Sequence, residues 1–243
     1  MIDEMRDSVM YWLEAEYRAN TPRVAQLASD ESPANALRDA IRRLTRRWTN
    51  NFDAGAPKLA AWFALAQKDR SDAALRKILK DAGFTVDWRM TAAMNDVMQA
   101  TVGEQVGLIK SIPQECLAKV EGLVMRSVAT GRDLGTLRKD LQKQFGVTRR
   151  RATLIARTQN NMASATLTRV RQLEAGITEA IWCHSAGGRV PRPSHVKASK
   201  DRVRYNVAEG WLDPAIGKRI WPGTEINCRC FARPVLPGFT PSR

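Results

Sequence analysis

The sequence predicts an α+β protein, with a mostly α-helical N-terminal two-thirds and a small, turn-rich, mainly β C-terminal module packed on a long helix. Apolar residues recur at intervals of three and four as far as residue 175, which is typical of amphipathic helices. After Gly176 this periodicity ends. Short apolar stretches separated by glycine and proline follow, and these are typical of short strands and turns.

The first helix is predicted over residues 2–19, where one face carries Met5, Val9, Leu13 and Tyr17. Capping residues and prolines predict that further helices begin at Pro33, near Pro57 and at Ser71, and that the last of these ends at Gly83.

Two more helices are predicted to meet at Pro113, and a short one to end at Gly146. Thr148 is the predicted cap of a last long helix over residues 149–175, which ends at Gly176. One stripe of this helix consists mostly of small residues, which let another element approach closely, so we expect it to be the docking surface for the strands. The stripe comprises Ala152, Ala156, Ala163, Leu167 and Val170.

These patterns divide the chain into three regions. Residues 1–84 form an N-terminal helical region and residues 85–147 a helical connector bundle. Residues 148–243 form the C-terminal module, which includes the last long helix. Within it, residues 148–236 are expected to behave as one cooperative unit.

Positive charge is concentrated in the C-terminal part of the chain. Residues 138–243 carry 20 Lys and Arg against 7 Asp and Glu, a net of +13 out of +14 for the whole chain. Such a field predicts a polyanion or an acidic protein surface as partner. Three of the basic residues fall in the predicted first helical turn, where the helix dipole disfavours cations. The predicted binding residues are Arg149, Arg150, Arg151, Arg189, Arg192, Lys197, Lys200, Arg202 and Arg204.

The N-terminal residues contain acids where a signal peptide needs bases, and no apolar run approaches the ~18 residues of a membrane span. Four cysteines in 243 residues are too few for a disulfide scaffold. We therefore expect synthesis and folding in a reducing cytoplasm, without a membrane partner during assembly.

Several segments of the C-terminal module resemble one protein family. They are the run GVT at 146–148, ATLIARTQ at 152–159, Trp182, RVPRPSH at 189–195, Pro222-Gly223 and NCRC at 227–230. Together they resemble the head-morphogenesis (minor head protein) family typified by protein F of phage Mu and the gene 7 product of phage SPP1. The resemblance covers roughly residues 90–237 and is strongest from residue 148 onward. Its signature residues are Arg157, Trp182, Ser194, His195, Pro222, Gly223, Asn227, Cys228, Arg229 and Cys230.

The resemblance implies a protein that is present in few copies in the procapsid, associated with the portal and needed for assembly; for some members a role in DNA exit is suspected. Two acidic features of the family are missing. Ala186-Gly187-Gly188 stand where relatives usually carry acids, and Ala198-Ser199-Lys200-Asp201 replace a common Leu-Asp-Gly. The sequence also contains no glycine-rich phosphate loop and no nucleophile motif. We therefore predict that the protein is not an enzyme.

Cysteine and histidine are concentrated near the end of the chain. Cys183, His195, Cys228 and Cys230 offer the four soft ligands that a structural zinc requires. Cys228-x-Cys230 in an extended strand would point both thiols to the same face, although common zinc motifs place two residues between paired cysteines. The alternative is a buried cysteine pair with His195 hydrogen-bonded to the backbone. The spacing favours this alternative, so no cofactor is expected, while the ligand set still allows zinc.

The function predicted from the sequence is that of a phage minor head protein in the virion, near the portal, acting in head morphogenesis and in DNA packaging or ejection. The expected partners are the portal protein, the major capsid or scaffold protein, and packaged DNA contacted without sequence preference. Two alternatives remain open. One is an enzymatic effector, such as an ADP-ribosyltransferase- or nuclease-like toxin carrying a related domain, and the other is a nonspecific DNA-binding protein.

Overall fold

The computed structural model describes residues 1–19, 33–130, 134–188 and 190–236. Within these ranges the predicted α+β class is confirmed. The helices are α1 Ile2–Ala19, α2 Pro33–Asp81, α3 Ala92–Ala129, α4 Leu134–Glu174 and α5 Pro193–Lys200. The strands are β1 Glu179–Cys183, β2 Arg204–Asn206, β3 Trp211–Asp213, β4 Lys218–Ile220 and β5 Phe231–Pro234.

Two small antiparallel sheets form the C-terminal module. The first has the strand order β2-β1-β5, with β1 in the centre and Ile181 opposite both Arg204 and Arg233. The second is the hairpin β3-β4, in which Trp211 lies opposite Ile220. The residues buried between these strands and α5 form one apolar core. This core consists of Ala180, Trp182, Ala198, Tyr205, Val207, Ile220, Cys228 and Cys230.

The chain divides into two compact units, each built from two separate segments. The first unit consists of Met1–Lys58 and Gln105–Thr153, and the second of Leu59–Glu104 and Leu154–Arg243. The three-region division predicted along the sequence stays a prediction, because these units are defined by contacts and not by order in the chain. The predicted cooperative unit 148–236 lacks Leu59–Glu104, which the second unit includes.

In the first unit, α1 buries the face that its sequence predicts. Met5, Val9, Leu13 and Tyr17 are all nearly inaccessible to solvent. The Tyr17 hydroxyl lies 3.3 Å from the Ser127 hydroxyl, so the end of α1 is joined by a buried polar contact to α3.

Four predicted helix boundaries are wrong, because α2, α3 and α4 continue through them. Pro57 and Ser71 lie inside α2 and Pro113 inside α3, and α4 passes through Gly146. An interior proline costs a helix about 3 kcal/mol, an amount that burial of two or three apolar side chains offsets. Around Pro57, which is itself exposed, the buried positions continue at helical spacing. They are Phe52, Ala56, Ala60 and Ala64.

The predicted cap at Thr148 is also wrong, and its hydroxyl shows why. Thr148 Oγ1 donates to the carbonyl oxygen of Gln144 at 3.1 Å, one turn back in the same helix. A threonine that bonds to the preceding turn is compatible with a helix interior, whereas a cap would bond to the following turn.

Two predicted helix ends are confirmed. Gly83 and Gly176 have φ of +85° and +72°, a conformation that glycine adopts without a side-chain clash. After α4, the Ile177 N–H donates to the Gln172 carbonyl oxygen at 2.8 Å, which completes the usual hydrogen-bond pattern of a helix that ends at glycine. The short helix α5 was missed by the sequence analysis.

Candidate functional site

One face of α4 holds the loop formed by residues 221–230, hereafter the 221–230 loop. The Asn161 side-chain amide donates to the carbonyl oxygen of Cys228 at 2.6 Å, and the Asn227 N–H donates to Thr158 Oγ1 at 3.1 Å. The Arg169 guanidinium lies 4.0 Å from the centre of a Trp221 ring.

The small-residue stripe of α4 was predicted to be the docking surface for the strands. This prediction is wrong for Leu167 and Val170, which pack on α2 and α3 against Ala64, Met94 and Met98.

The backbone of the 221–230 loop explains two signature residues. Gly223 has φ +91°, and a Cβ there would lie 3.0 Å from Ala165 Cβ and 3.2 Å from the Cys230 carbonyl oxygen. Only glycine fits this approach to α4. Asn227 has φ +57°, and asparagine tolerates this left-handed conformation better than most residues. Pro222, another signature residue of this loop, is buried.

Cys228, Cys230 and His195 form a buried group, hereafter the thiol–histidine cluster. His195 Nδ1 lies 3.6 Å from Cys228 Sγ and 3.7 Å from Cys230 Sγ. The ligand atoms of all three residues lie within 4.8 Å of one another, and every member is buried. The two thiols share one face, as the spacing predicts, and Arg229 between them donates to the Gly187 carbonyl oxygen.

Asp213 lies on the opposite side of the His195 ring. Its Oδ2 is 3.4 Å from His195 Nε2, although Nε2 forms no hydrogen bond in proper geometry with any described residue. The carboxylate is itself held in place, because Ser194 Oγ donates to Oδ2 at 3.0 Å and the Ala215 N–H donates to Oδ1 at 2.9 Å. Trp182 packs edge-on against the imidazole, with ring centres 4.9 Å apart. The hydrogen bond from His195 to the backbone, which the sequence analysis expected, is absent among the described residues.

The two thiols have different acidities. Hydrogen bonds from Cys230 and then from His195 favour the thiolate of Cys228 and lower the pKa of that thiol, although burial opposes them. The pKa of Cys230 is raised, because its proton is held in the bond to Cys228 and because the group is buried. Negative charge on the pair is therefore favoured on Cys228, and the remaining proton on Cys230.

Cys183 does not join the cluster. Its Sγ faces the carbonyl oxygen of Ile181 at 3.8 Å, and burial raises the pKa of its thiol. The structure thus brings together three of the four predicted ligands. Asp213, which the sequence analysis missed, lies 18 residues after His195 and belongs to no motif that would have revealed it.

The segments that build this site are the ones that comparison with known proteins identifies. Residues 118–233 match the family Phage Mu protein F like protein. The resemblance found in the sequence is thereby confirmed for these residues. An uncharacterised protein of Haemophilus influenzae (strain Rd) is 36% identical to this chain over 151 residues. The match covers 61% of this chain but only 31% of the length of the Haemophilus protein. No solved structure matches the chain.

The three consecutive arginines at 149–151 differ in their contacts, because two of them form ion pairs with described carboxylates and one does not. They lie in the middle of α4 and not in a first turn, so the helix dipole does not oppose them. Arg151 pairs with Glu115 at 2.7 Å, and Arg149 pairs with Asp3. Arg150 is exposed and has no carboxylate partner among the described residues.

Two basic residues of the C-terminal module form surface ion pairs. Lys197 Nζ lies 2.7 Å from Asp201, and Arg204 lies 3.9 Å from Glu179. All four side chains are at least half exposed. Such pairs contribute about 0–1 kcal/mol, so an external anion can compete for these cations.

The remaining predicted basic residues are less constrained. Arg192 is exposed and donates to the carbonyl oxygen of Ile226 at 3.1 Å. Lys200 and Arg202 are exposed and form no ion pair with a described carboxylate. Arg189 lies outside the described residues. The signature residue Arg157 is exposed on α4.

A cavity of about 630 Å³ in the second unit contains a basic group that the sequence analysis missed. Arg70, Arg169 and Arg229 line it, and none of the described lining residues is acidic. Arg70 is 99 positions before Arg169 in the sequence, so no local pattern could have joined them. An unbalanced set of arginines around a cavity favours an anionic occupant.

None of the described helices is both long and apolar enough to cross a lipid bilayer.

Proposed function

We propose that this protein is a minor head protein at the portal vertex of a phage, acting in procapsid assembly and in DNA packaging or ejection. In this role it contacts the portal protein, the major capsid or scaffold protein, and packaged DNA. The observation that carries the proposal is the net charge of +13 over residues 138–243, within a chain whose residues 118–233 match a phage head family.

The exposed cations support contact with the DNA backbone. Three exposed cations form no ion pair with a described carboxylate, namely Arg150, Lys200 and Arg202. Binding a phosphate therefore breaks no ion pair within the protein. Phosphate contacts supply affinity without sequence information. The protein should therefore bind duplex DNA of any sequence.

Salt dependence tests this proposal. Each phosphate contact contributes about −0.9 to the slope of log affinity against log salt concentration on duplex DNA. The combined neutralisation Arg150→Gln, Lys200→Gln and Arg202→Gln should make the slope shallower by about 2.7 if each cation contacts one phosphate. Fluorescence anisotropy with a labelled duplex over a range of salt concentrations measures this slope.

A matched control variant carries the same change of charge in the near-neutral part of the chain. Arg46→Gln, Lys58→Gln and Lys77→Gln remove three exposed cations from residues 1–137, whose net charge is +1. This control should keep the wild-type slope. Equal slopes for all three proteins would show that the chosen C-terminal cations do not contact DNA.

The full chain is required for these measurements. A fragment beginning at residue 138 would start inside α4 and would lack Leu59–Glu104, which belong to the second unit. Loss of binding by such a fragment would therefore report loss of structure.

An acidic protein surface is the competing explanation for the basic field, and its binding would also weaken with salt. Purified portal protein, immobilised and presented with the full chain, separates the two. Capture by the portal together with no binding to duplex DNA at low ionic strength would refute the DNA contact and leave the portal contact. Density for this chain at the portal vertex of empty and filled particles would test the location itself.

A structural and not a catalytic role follows from the same proposal. The family-level match is consistent with it, and the absence of turnover by the purified chain on nucleic acid and on nicotinamide dinucleotide would support it.

A further inference from the structure

The nitrogen–sulfur distances within the thiol–histidine cluster are close to those of a tetrahedral metal site. Zn–S bonds of about 2.3 Å and Zn–N bonds of about 2.0 Å at a tetrahedral angle place sulfur and nitrogen about 3.5 Å apart. His195 Nδ1 lies 3.6 Å from one thiol sulfur and 3.7 Å from the other. We infer that Cys228, Cys230 and His195 bind one zinc ion, with water as its fourth ligand.

The surroundings of His195 orient it as a ligand. Asp213 lies on the Nε2 side of the ring, at 3.4 Å, and leaves Nδ1 directed toward the two sulfurs. A carboxylate behind a ligating histidine commonly fixes the ring and its tautomer. Ser194 Oγ and the Ala215 N–H hold this carboxylate in turn, so the support extends beyond the ligands themselves.

The fourth coordination position faces a second cavity. This cavity, of about 300 Å³, is lined by all three ligands and by His184, Asn227 and Arg192, among others. Among the described residues, the ligand atoms that lie within 4.8 Å of one another belong to Cys228, Cys230 and His195, and His184 is outside this group. The Nδ1 of His184 also accepts a hydrogen bond from the Ala186 N–H at 3.1 Å. Water in the cavity is thus the available fourth ligand.

The location of the cluster gives the ion a structural role. Cys228 and Cys230 end the 221–230 loop, His195 lies on α5, and Asp213 lies on β3. Zinc would therefore join the 221–230 loop to α5, while Asp213 would connect β3 to the ligating histidine, and the apolar core between these elements is small. A crosslink of this kind supplies stability that a small core lacks.

Metal analysis of the full chain tests the inference directly. Protein purified under reducing conditions should contain about one zinc per chain, as one site of this type requires. Cys228→Ser and Cys230→Ser should each abolish this content. Cys183→Ser is the matched control, because it removes a partly buried thiol that lies outside the cluster, and it should keep the zinc.

A variant of the cluster that fails to fold would lose zinc for an indirect reason, so a second measurement uses the wild-type chain. After removal of zinc with a chelator, titration with Co²⁺ should produce thiolate-to-cobalt absorption that saturates at about one equivalent. Wild-type protein with neither zinc nor this absorption would overturn the inference.

Discussion

Arg171 and Asp72 form a buried two-point ion pair in the second unit. Nε lies 2.8 Å from Oδ1 and Nη2 lies 3.2 Å from Oδ2. The side chains are 1% and 8% exposed, and Arg171 also donates to the Arg89 carbonyl oxygen at 2.7 Å. This pair joins α2 to α4 across 99 positions of sequence.

Replacing Asp72 with alanine should lower the free energy of unfolding by about 3–5 kcal/mol, because it leaves a buried guanidinium without its main counter-charge. The effect should lie at the lower end of this range, since Glu174 remains 3.0 Å from Arg171. Urea denaturation followed by circular dichroism measures it. Asp69→Ala is the control, because Asp69 is 73% exposed and pairs only at the surface with Lys68. Similar midpoints for the two variants would contradict the importance of the buried pair.

Gly223→Ala should destabilise the protein by about 2–4 kcal/mol, from backbone strain together with overpacking against α4. Gly217→Ala shares the positive φ, at +65°, but has no atom within 4 Å of the added Cβ. It should therefore cost only about 1–2 kcal/mol. The difference between the two melting temperatures isolates the contact with Ala165, and equal losses would show that this contact is relieved without cost.

Ala163→Leu should cost about 1–3 kcal/mol, because three carbons are added at a position that is 1% exposed. The same substitution at Ala93, which is exposed on α3, should leave stability almost unchanged. Thermal unfolding of both variants checks this expectation. An unchanged melting temperature for Ala163→Leu would mean that the surrounding side chains make room for the added carbons without cost.

Asp213→Asn should weaken zinc binding about 10–100-fold while leaving all three ligands in place, because it removes the carboxylate behind His195. Competition with a coloured zinc chelator measures the affinity of the full chain. Asp201→Asn, at an exposed carboxylate that pairs with Lys197, should bind zinc like the wild type. Should the Asp213→Asn variant and the wild-type protein compete equally well, the supporting role of the carboxylate would be wrong even if zinc is bound.

The fold class and the helix ends at Gly83 and Gly176 were predictable because they depend on local physics. The apolar face of α1 and the glycines at 83 and 176 carry their signal within a few residues, and the structure agrees with them. The continuity of α2, α3 and α4 was not predictable in this way. Local breaker and cap signals at Pro57, Pro113 and Thr148 were outweighed by burial of residues on both sides, which depends on partners distant in sequence.

The candidate site was predictable in part for the same reason. The Cys228-x-Cys230 spacing places two thiols on one face of an extended chain, so their pairing follows from the sequence, and His195 was identified as a candidate ligand. Which further side chain lies beside these three residues, Cys183 or Asp213, could be learned only from the structure. Cys183 lies on β1 with its thiol toward its own strand, whereas the turn after β3 brings Asp213 to the imidazole.

The second unit is assembled from segments that leave the ribosome far apart in time. Asp72 is synthesised 99 residues before Arg171, which corresponds to about 5–20 s at ordinary rates of translation. During that interval Leu75 and Leu79 on the same stretch of α2 have no Ile177 to pack against. The apolar surface of this stretch is therefore exposed on every nascent chain, and binding by a chaperone in this interval would protect it until the C-terminal module emerges.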